Sequence, residues 1–308
     1  MSAAAQSVRL ELEPGPGGLD PLHVLAVLRA HAVPGVELAS GTDPDDAGAT
    51  FRRLVPCSTA YVEATLRFTR ELVLVDARGP GTPTAGGDPD WADELASRIR
   101  AWLDLDADLG PVVGHLRRDP ALAPLVAARP SLRRVGFLDP VEALATTILG
   151  QQVSLAACRT FSGRLVQAFG RDGPGGLRIF PDAAELAETD PGHLHTAVGI
   201  TGQRALTLHA AMAALAAAMP VAGLDPRGGP GFPLARAELL GLRGIGPWTA
   251  DYLAVRAGFD PDAFTPGDLV LRRALGRVDA RAAEERSHAW SPYRAYALFH
   301  CWAAQLPG

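Results

Sequence analysis

The chain of 308 residues contains no lysine; all 29 of its basic residues are arginine. Chemistry that runs through a lysine amine, such as a Schiff base, is therefore excluded, because a guanidinium stays protonated and is no nucleophile. Cysteine is scarce: Cys57, Cys158 and Cys301 are three in number and far apart. They exclude a four-cysteine zinc or iron–sulfur site and fit a reducing compartment. No His/Cys/Asp grouping has zinc-ligand spacing. Long apolar runs are missing too, since the Ala-rich stretch 208–224 is broken by His209 and Pro220, so no membrane span is expected. The amino-terminal segment has no basic flank followed by an apolar core, so no secretory signal is expected either. The location this implies is cytoplasmic.

A strong positive field is also lacking. Net charge is −5, and it is unevenly placed: residues 1–140 carry 14 Arg against 19 Asp and Glu, whereas residues 141–308 carry 15 of each. That balance argues against long tracking of nucleic acid by charge alone. It permits a short footprint made by backbone amides and a few arginines.

What is present is enough apolar content, 47%, to fill two or three compact units. Residues 1–110 read as a mixed α/β unit. Strand-like runs fall at 8–12, 51–57, 61–68 and 72–77, helices at 22–32 and 91–105, and a Gly/Pro/Thr-rich, mobile loop at 79–90. From 111 to 308 the reading is almost all helix. Asp139-Pro140-Val141-Glu142 is a helix start with cap, proline and acid in place. That helix runs to Leu149, breaks at 150–154, and a second continues to Phe169. Further helices are expected at 182–188, 192–198, 204–219, 234–240, 247–257, 269–275, 280–289 and 292–303. The stretch 221–233 reads as a loop.

The most informative segment is 239–273, LLGLRGIGPWTADYLAVRAGFDPDAFTPGDLVLRR. Gly244 and Gly246 form a tight turn with exposed main-chain N–H groups, and Pro247 suits the first position of a following helix. N–H groups at the positive end of a helix dipole are a seat for phosphate. One carboxylate, Asp268, follows after a helix and a turn. By itself Thr265-Pro266-Gly267-Asp268 is also an ordinary helix cap, and Trp248 and Tyr252, four apart on one helix face, are ordinary core aromatics. Arg243, Arg272 and Arg273 suit phosphate contacts or a solvated face equally.

Taken with Ile148-Leu149-Gly150-Gln151-Gln152-Val153-Ser154 and with the run from Ser291-Pro292-Tyr293 to Trp302, this segment resembles the DNA-3-methyladenine glycosylase II (AlkA-type) branch of the helix-hairpin-helix DNA glycosylase superfamily. The resemblance covers roughly residues 110–308. It implies a mainly α fold, with a helical glycosylase region at 111–308, its helix-hairpin-helix at 234–257, and a small TBP-like α/β domain at 1–110. It implies that Asp268 stabilises positive charge developing on a deoxyribose, and that Trp248, Tyr252 and Trp302 sandwich a flipped base. Gly244 and Gly246, with Arg243, Arg272 and Arg273, would hold the DNA backbone, while the Gln151–Gln152 loop fills the gap left by the base. The enterobacterial type has leucine where this chain has Gln152, so a polar wedge is a departure. In relatives the hairpin carbonyls bind a monovalent cation, which would place Leu240, Leu242 and Ile245 around Na+ or K+; no other cofactor is implied. In strand-cutting relatives a lysine occupies the position of Trp248, so base removal without strand cleavage is expected. The expected substrate is double-stranded DNA with alkylated bases of the 3-methyladenine and 7-methylguanine class, and the expected state is a monomer. The alternatives are a glycosylase for another lesion and an inactive module that binds damaged DNA.

Overall fold

The computed structural model describes residues 5–41, 49–58, 60–80, 87–219, 232–258 and 260–305. The chain opens with a five-stranded antiparallel sheet ordered β1-β5-β4-β3-β2. Its strands are β1 (Ala5–Leu12), β2 (Glu37–Ser40), β3 (Thr50–Pro56), β4 (Tyr61–Phe68) and β5 (Val73–Pro80). Helix α1 (Pro21–His31) enters between β1 and β2, and α2 (Ala92–Trp102) follows β5. β4 alternates one buried residue with one half-buried residue along its length, the period-two pattern of a strand with one face on a core. The inner face packs Phe51, Val62, Leu66 and Val75 against Leu25 and Leu28 of α1 and Leu95 and Ile99 of α2.

The remainder is helical, from α3 (Leu109–Leu116) to α14 (Arg294–Ala303). Two separate cores form. One gathers α5 (Pro140–Leu149), α6 (Leu155–Phe169), α9 (Gly202–Ala218) and one side of α11 (Pro247–Ala257), around Leu144, Ile148, Leu208, Met212 and Leu253. The other gathers α3, α4 (Ala123–Ala128), α12 (Leu269–Ala274) and α14, around Leu116, Val126, Leu271, Trp290 and Leu298. α11 contributes Leu253 to the first and Val255 to the second, so it forms the partition between them. The sequence marked these helices well because their caps are local. Asp139 accepts from the N–H groups of Val141 and Glu142 to start α5, and Ser154 accepts from Ala157 to start α6.

Three features depart from the sequence reading. Strand β2 and helices α3 and α4 were not expected; they are short and carry no strong periodicity. The helical region also contains a two-residue antiparallel pair, Arg171–Asp172 with Arg178–Ile179. The sheet core draws in Val135 and Leu138, beyond the boundary expected at 110, while Leu109 and Val112 pack with the carboxy-terminal helices. Arg133 ties the crossing chain down: fully buried, it donates to the carbonyls of Gly15, Gly18, Asp104 and Ala107. Most of the two expected loops, at 79–90 and 221–233, lies outside the described residues. Among the described residues no helix is long and apolar enough to cross a membrane, and no group of three or more His, Cys, Asp or Glu is arranged to hold a metal ion.

Candidate active site

A cavity of about 930 Å³ opens between the sheet unit and the two helical cores. Gln151, Gln152, Gly244, Trp248, Tyr252 and Asp268 all line it. Residues from two of the three separated motifs thus reach one cleft; Trp302, from the third, touches Asp268 and Tyr252 but is not on the cavity wall.

Asp268 stands at the head of α12 and is 6% exposed. Its Oδ1 accepts the N–H of Leu271 at 2.8 Å, so the helix-cap reading is correct. The same carboxylate accepts the indole N–H of Trp302 on Oδ1 at 3.0 Å and that of Trp248 on Oδ2 at 3.3 Å. Backbone and two indoles therefore hold the carboxylate in one orientation. No arginine or lysine pairs with it among the described residues. An oriented carboxylate without a counter-cation is suited to stabilising positive charge brought to it.

The aromatic cluster departs from the sandwich. Trp248 and Tyr252 are four residues apart on α11 and stack on each other, centroids 5.0 Å apart with planes at 21°. A flat base intercalated between two rings needs about twice the ring contact distance of roughly 3.5 Å, so none fits there. Helical spacing holds side chains at i and i+4 close together, and that forces the contact. Trp302 meets Tyr252 at 5.7 Å and 48°. The three rings form one angled cluster, with Trp248 and Tyr252 on the cavity wall.

The glycine hairpin follows α10 (Arg236–Gly241). Gly244 has φ +93°, and a Cβ there would strike the Thr207 side chain on α9, so both conformation and space demand glycine. Ile245 donates its N–H to the Leu242 carbonyl, whereas among the described residues the N–H groups of Gly244 and Gly246 make no backbone hydrogen bond. Pro247 then begins α11. The Gln151 side-chain amide donates to the Gly244 carbonyl and to Thr249 Oγ1, each at 3.0 Å. Gln151 is thus a brace between the α5–α6 turn and the hairpin. Gln152 is exposed at the tip with φ +55°, a left-handed conformation uncommon outside glycine.

The arginine candidates separate. Arg243 and Arg273 are exposed, while Arg272 donates Nε to the Val278 carbonyl at 2.8 Å and braces the turn after α12. Arg256 and His31 are among the lining residues that escaped the sequence reading. Arg256, 5% exposed, donates to the Tyr252 hydroxyl at 3.0 Å. His31 of α1 lies 3.5 Å from the same guanidinium nitrogen through Nε2. Burial, and secondarily the Arg256 charge, push His31 down to about 3, so it is neutral. Its Nδ1 then donates to the Val27 carbonyl at 2.9 Å, leaving Nε2 to accept from Arg256. Arg256 was legible in principle, since 248, 252 and 256 form one i, i+4 stripe. Nothing local marks His31, which is brought in by the fold.

A hairpin with free main-chain N–H groups thus stands beside a cleft that holds one braced carboxylate against aromatic rings, an arrangement suited to engaging a nucleic-acid backbone. Comparison with known proteins agrees. The family model described as "HhH-GPD superfamily base excision DNA repair protein" matches residues 145–290, and the one described as "AlkA N-terminal domain" matches residues 16–139. The chain belongs to this helix-hairpin-helix superfamily of base excision DNA repair proteins, in its AlkA branch. It is 35% identical over 224 residues to DNA-3-methyladenine glycosylase 2 of Escherichia coli, covering 71% of this chain and 74% of that one. It is 40% identical over 241 residues to a probable bifunctional transcriptional activator/DNA repair enzyme AlkA of Mycobacterium tuberculosis, covering 75% of this chain but 44% of the relative. The chain therefore spans less than half the length of those mycobacterial relatives. Among solved structures, the 3-methyladenine DNA glycosylase of Archaeoglobus fulgidus shares the fold, with TM-score 0.73 at 16% identity over 95% of this chain and 97% of that one.

Proposed function

We propose that the protein is a monofunctional DNA glycosylase that removes alkylated bases from double-stranded DNA and leaves an abasic site. The observation that carries this reading is the Asp268 carboxylate, oriented by the Trp302 and Trp248 indoles and free of any cationic partner among the described residues. Loss of a base from deoxyribose develops positive charge on the sugar, and a fixed carboxylate lowers that barrier. Methylation at N3 or N7 makes a purine cationic and a good leaving group, so one carboxylate suffices without a paired acid. The electron-rich face of Trp248, Tyr252 and Trp302 favours such a cation by about 0.5–2 kcal/mol per contact.

The remaining parts follow from the same reading. The Gly244 and Gly246 amides, assisted by Arg243 and Arg273, seat a phosphate at the head of α11. Gln152, exposed and projecting, fills the gap left by the extruded base. Among the described residues no backbone N–H reaches the carbonyls of Leu240 and Ile245, so these oxygens, with that of Leu242, fit a monovalent cation that would fix the turn. The absence of lysine leaves no lysine amine for strand cleavage. The protein acts as a monomer in the cytoplasm, at the nucleoid.

The test is release of free base from methylated duplex DNA, comparing wild type with Asp268→Asn, before and after alkali. The expected result is release by wild type alone, with strand breaks only after alkali. No release by wild type, despite binding to methylated or abasic DNA, would overturn the reading in favour of another lesion or a binding-only role.

A further inference from the structure

The stripe on α11 that begins with Trp248 and Tyr252 ends in a charge the reaction described so far does not use. Arg256 lines the same cavity and is 5% exposed, yet no carboxylate pairs with it among the described residues. Its guanidinium lies over the rings of Phe137 at 4.9 Å and of Tyr252 and Phe299 at 5.8 Å. One nitrogen donates to the Tyr252 hydroxyl and to neutral His31, and its Nε has no partner at all. Every polar contact it makes is with a neutral group. Burying a cation without a counter-charge is costly, and space alone would be filled as well by methionine or leucine. A planar donor held at a cavity wall by rings, a phenol and an imidazole is pre-oriented toward something that enters the cavity.

Position says which part of that visitor it meets. Arg256 lies nine residues beyond Pro247, about 13 Å along the helix axis, which places it well away from the phosphate seat. Asp268 is bonded to Trp248, Trp248 stacks on Tyr252, and Tyr252 is bonded to Arg256. A base lying along this platform with its glycosidic nitrogen at Asp268 turns its far edge toward Arg256. We propose that Arg256 is a specificity-determining residue that reads the far edge of the flipped base, donating to an exocyclic carbonyl oxygen and disfavouring an amino group there. The inference rests on the glycosylase reading above and adds a preference within its substrates. 7-Methylguanine offers a carbonyl oxygen at its six-position and is favoured, whereas 3-methyladenine offers N–H donors that face the guanidinium unfavourably. Both bases are cationic in DNA, so repulsion between Arg256 and the ring charge affects them alike and cancels in their ratio.

The experiment is single-turnover release of both bases from one preparation of methylated duplex DNA, by wild type, Arg256→Met and Arg256→Lys. Arg256→Met removes donors and charge at similar volume. It is expected to lower 7-methylguanine release by about tenfold or more, the usual worth of a charge-assisted hydrogen bond. Release of 3-methyladenine should stay within about twofold or rise. Arg256→Lys should recover part of the 7-methylguanine activity. An equal fall for both bases would mean a purely structural role, and no change for either would mean that the base never reaches Arg256; both overturn the proposal. Binding of free 7-methylguanine and 3-methyladenine, read by tryptophan fluorescence, separates this inference from the catalytic reading. If wild type released neither base yet Arg256→Met selectively weakened 7-methylguanine binding, the glycosylase reading would fall and the far-edge contact would stand. Unselective weakening would sink the contact whatever the activity.

Discussion

Gln151 donates its side-chain amide to the carbonyl of Gly244 at 3.0 Å, so the turn between α5 and α6 and the glycine hairpin move as one body. These segments are 93 residues apart in sequence and face the same cleft. Arg204 of α9 closes the arrangement by donating to the Gln151 carbonyl at 2.6 Å. Gln151→Ala removes the link. The expected outcome is weaker binding to abasic duplex DNA, by about three- to tenfold, with a stability loss of about 1 kcal/mol, checked by equilibrium titration and urea unfolding. Unchanged binding would show that the hairpin holds its form without the brace.

Gly244→Ala meets two penalties together: a positive φ and a Cβ directed into Thr207. A stability loss of roughly 2–3 kcal/mol is expected, with loss of DNA binding even where the fold is retained at low temperature. Thr207→Gly in the same chain should restore part of the binding by clearing the space. Failure of that pair to recover would locate the cost in the backbone angle alone.

Trp302→Phe keeps a ring against Tyr252 and Phe299 but removes the N–H that reaches Asp268. The single-turnover rate of base release should fall about tenfold, the worth of one oriented hydrogen bond to a carboxylate, while affinity for abasic DNA holds. A fall in affinity with the rate unchanged would assign Trp302 to base stacking only.

Stability should decline on the acid side of neutrality. Burial pushes His23 and His300 down to about 4 and His31 down to about 3. The unfolded chain takes up these protons near pH 6.5, where the folded one refuses them, so the stabilisation present above that pH is lost as pH falls. Asp139 acts oppositely: burial, with the Glu142 charge, pushes it up to about 6, so its contribution improves as pH drops through that range. The three histidines give a loss on the order of 1–2 kcal/mol each between pH 6.5 and 5, offset in part by Asp139 and by Glu37 and Glu142, which burial also raises. Thermal melts across this range check it, and a flat profile would refute it.

Local grammar made much of this molecule legible. Asp139 and Ser154 are caps a reader can find, and Gly244 with Pro247 marks the hairpin without reference to anything distant. Asp268 could be placed only as a cap or as a catalytic group; the structure shows that it is bound as both the cap and the partner of two indoles. The stacking of Trp248 on Tyr252 was implicit in their spacing, which also ruled out a base between them. What could not be read was everything carried by tertiary approach. His31 reaches Arg256 across 225 residues, and the Gln151 amide braces the hairpin 93 residues away. Helices α3 and α4 are too short to announce themselves by period.

Arg53, on β3, is 2% exposed and pairs with Glu37 of the same sheet at 2.5 Å and with Glu142 of α5 at 2.7 Å. A carboxylate on the helical side thus shares, with Glu37, a cation that belongs to the sheet. The two halves are consequently not interchangeable parts. A sheet unit transplanted from a relative must bring an arginine at this place to meet the buried Glu142, and a helical half cut free would lose the cation that pairs with that carboxylate. Inheritance of the amino-terminal unit is bound to inheritance of Glu142.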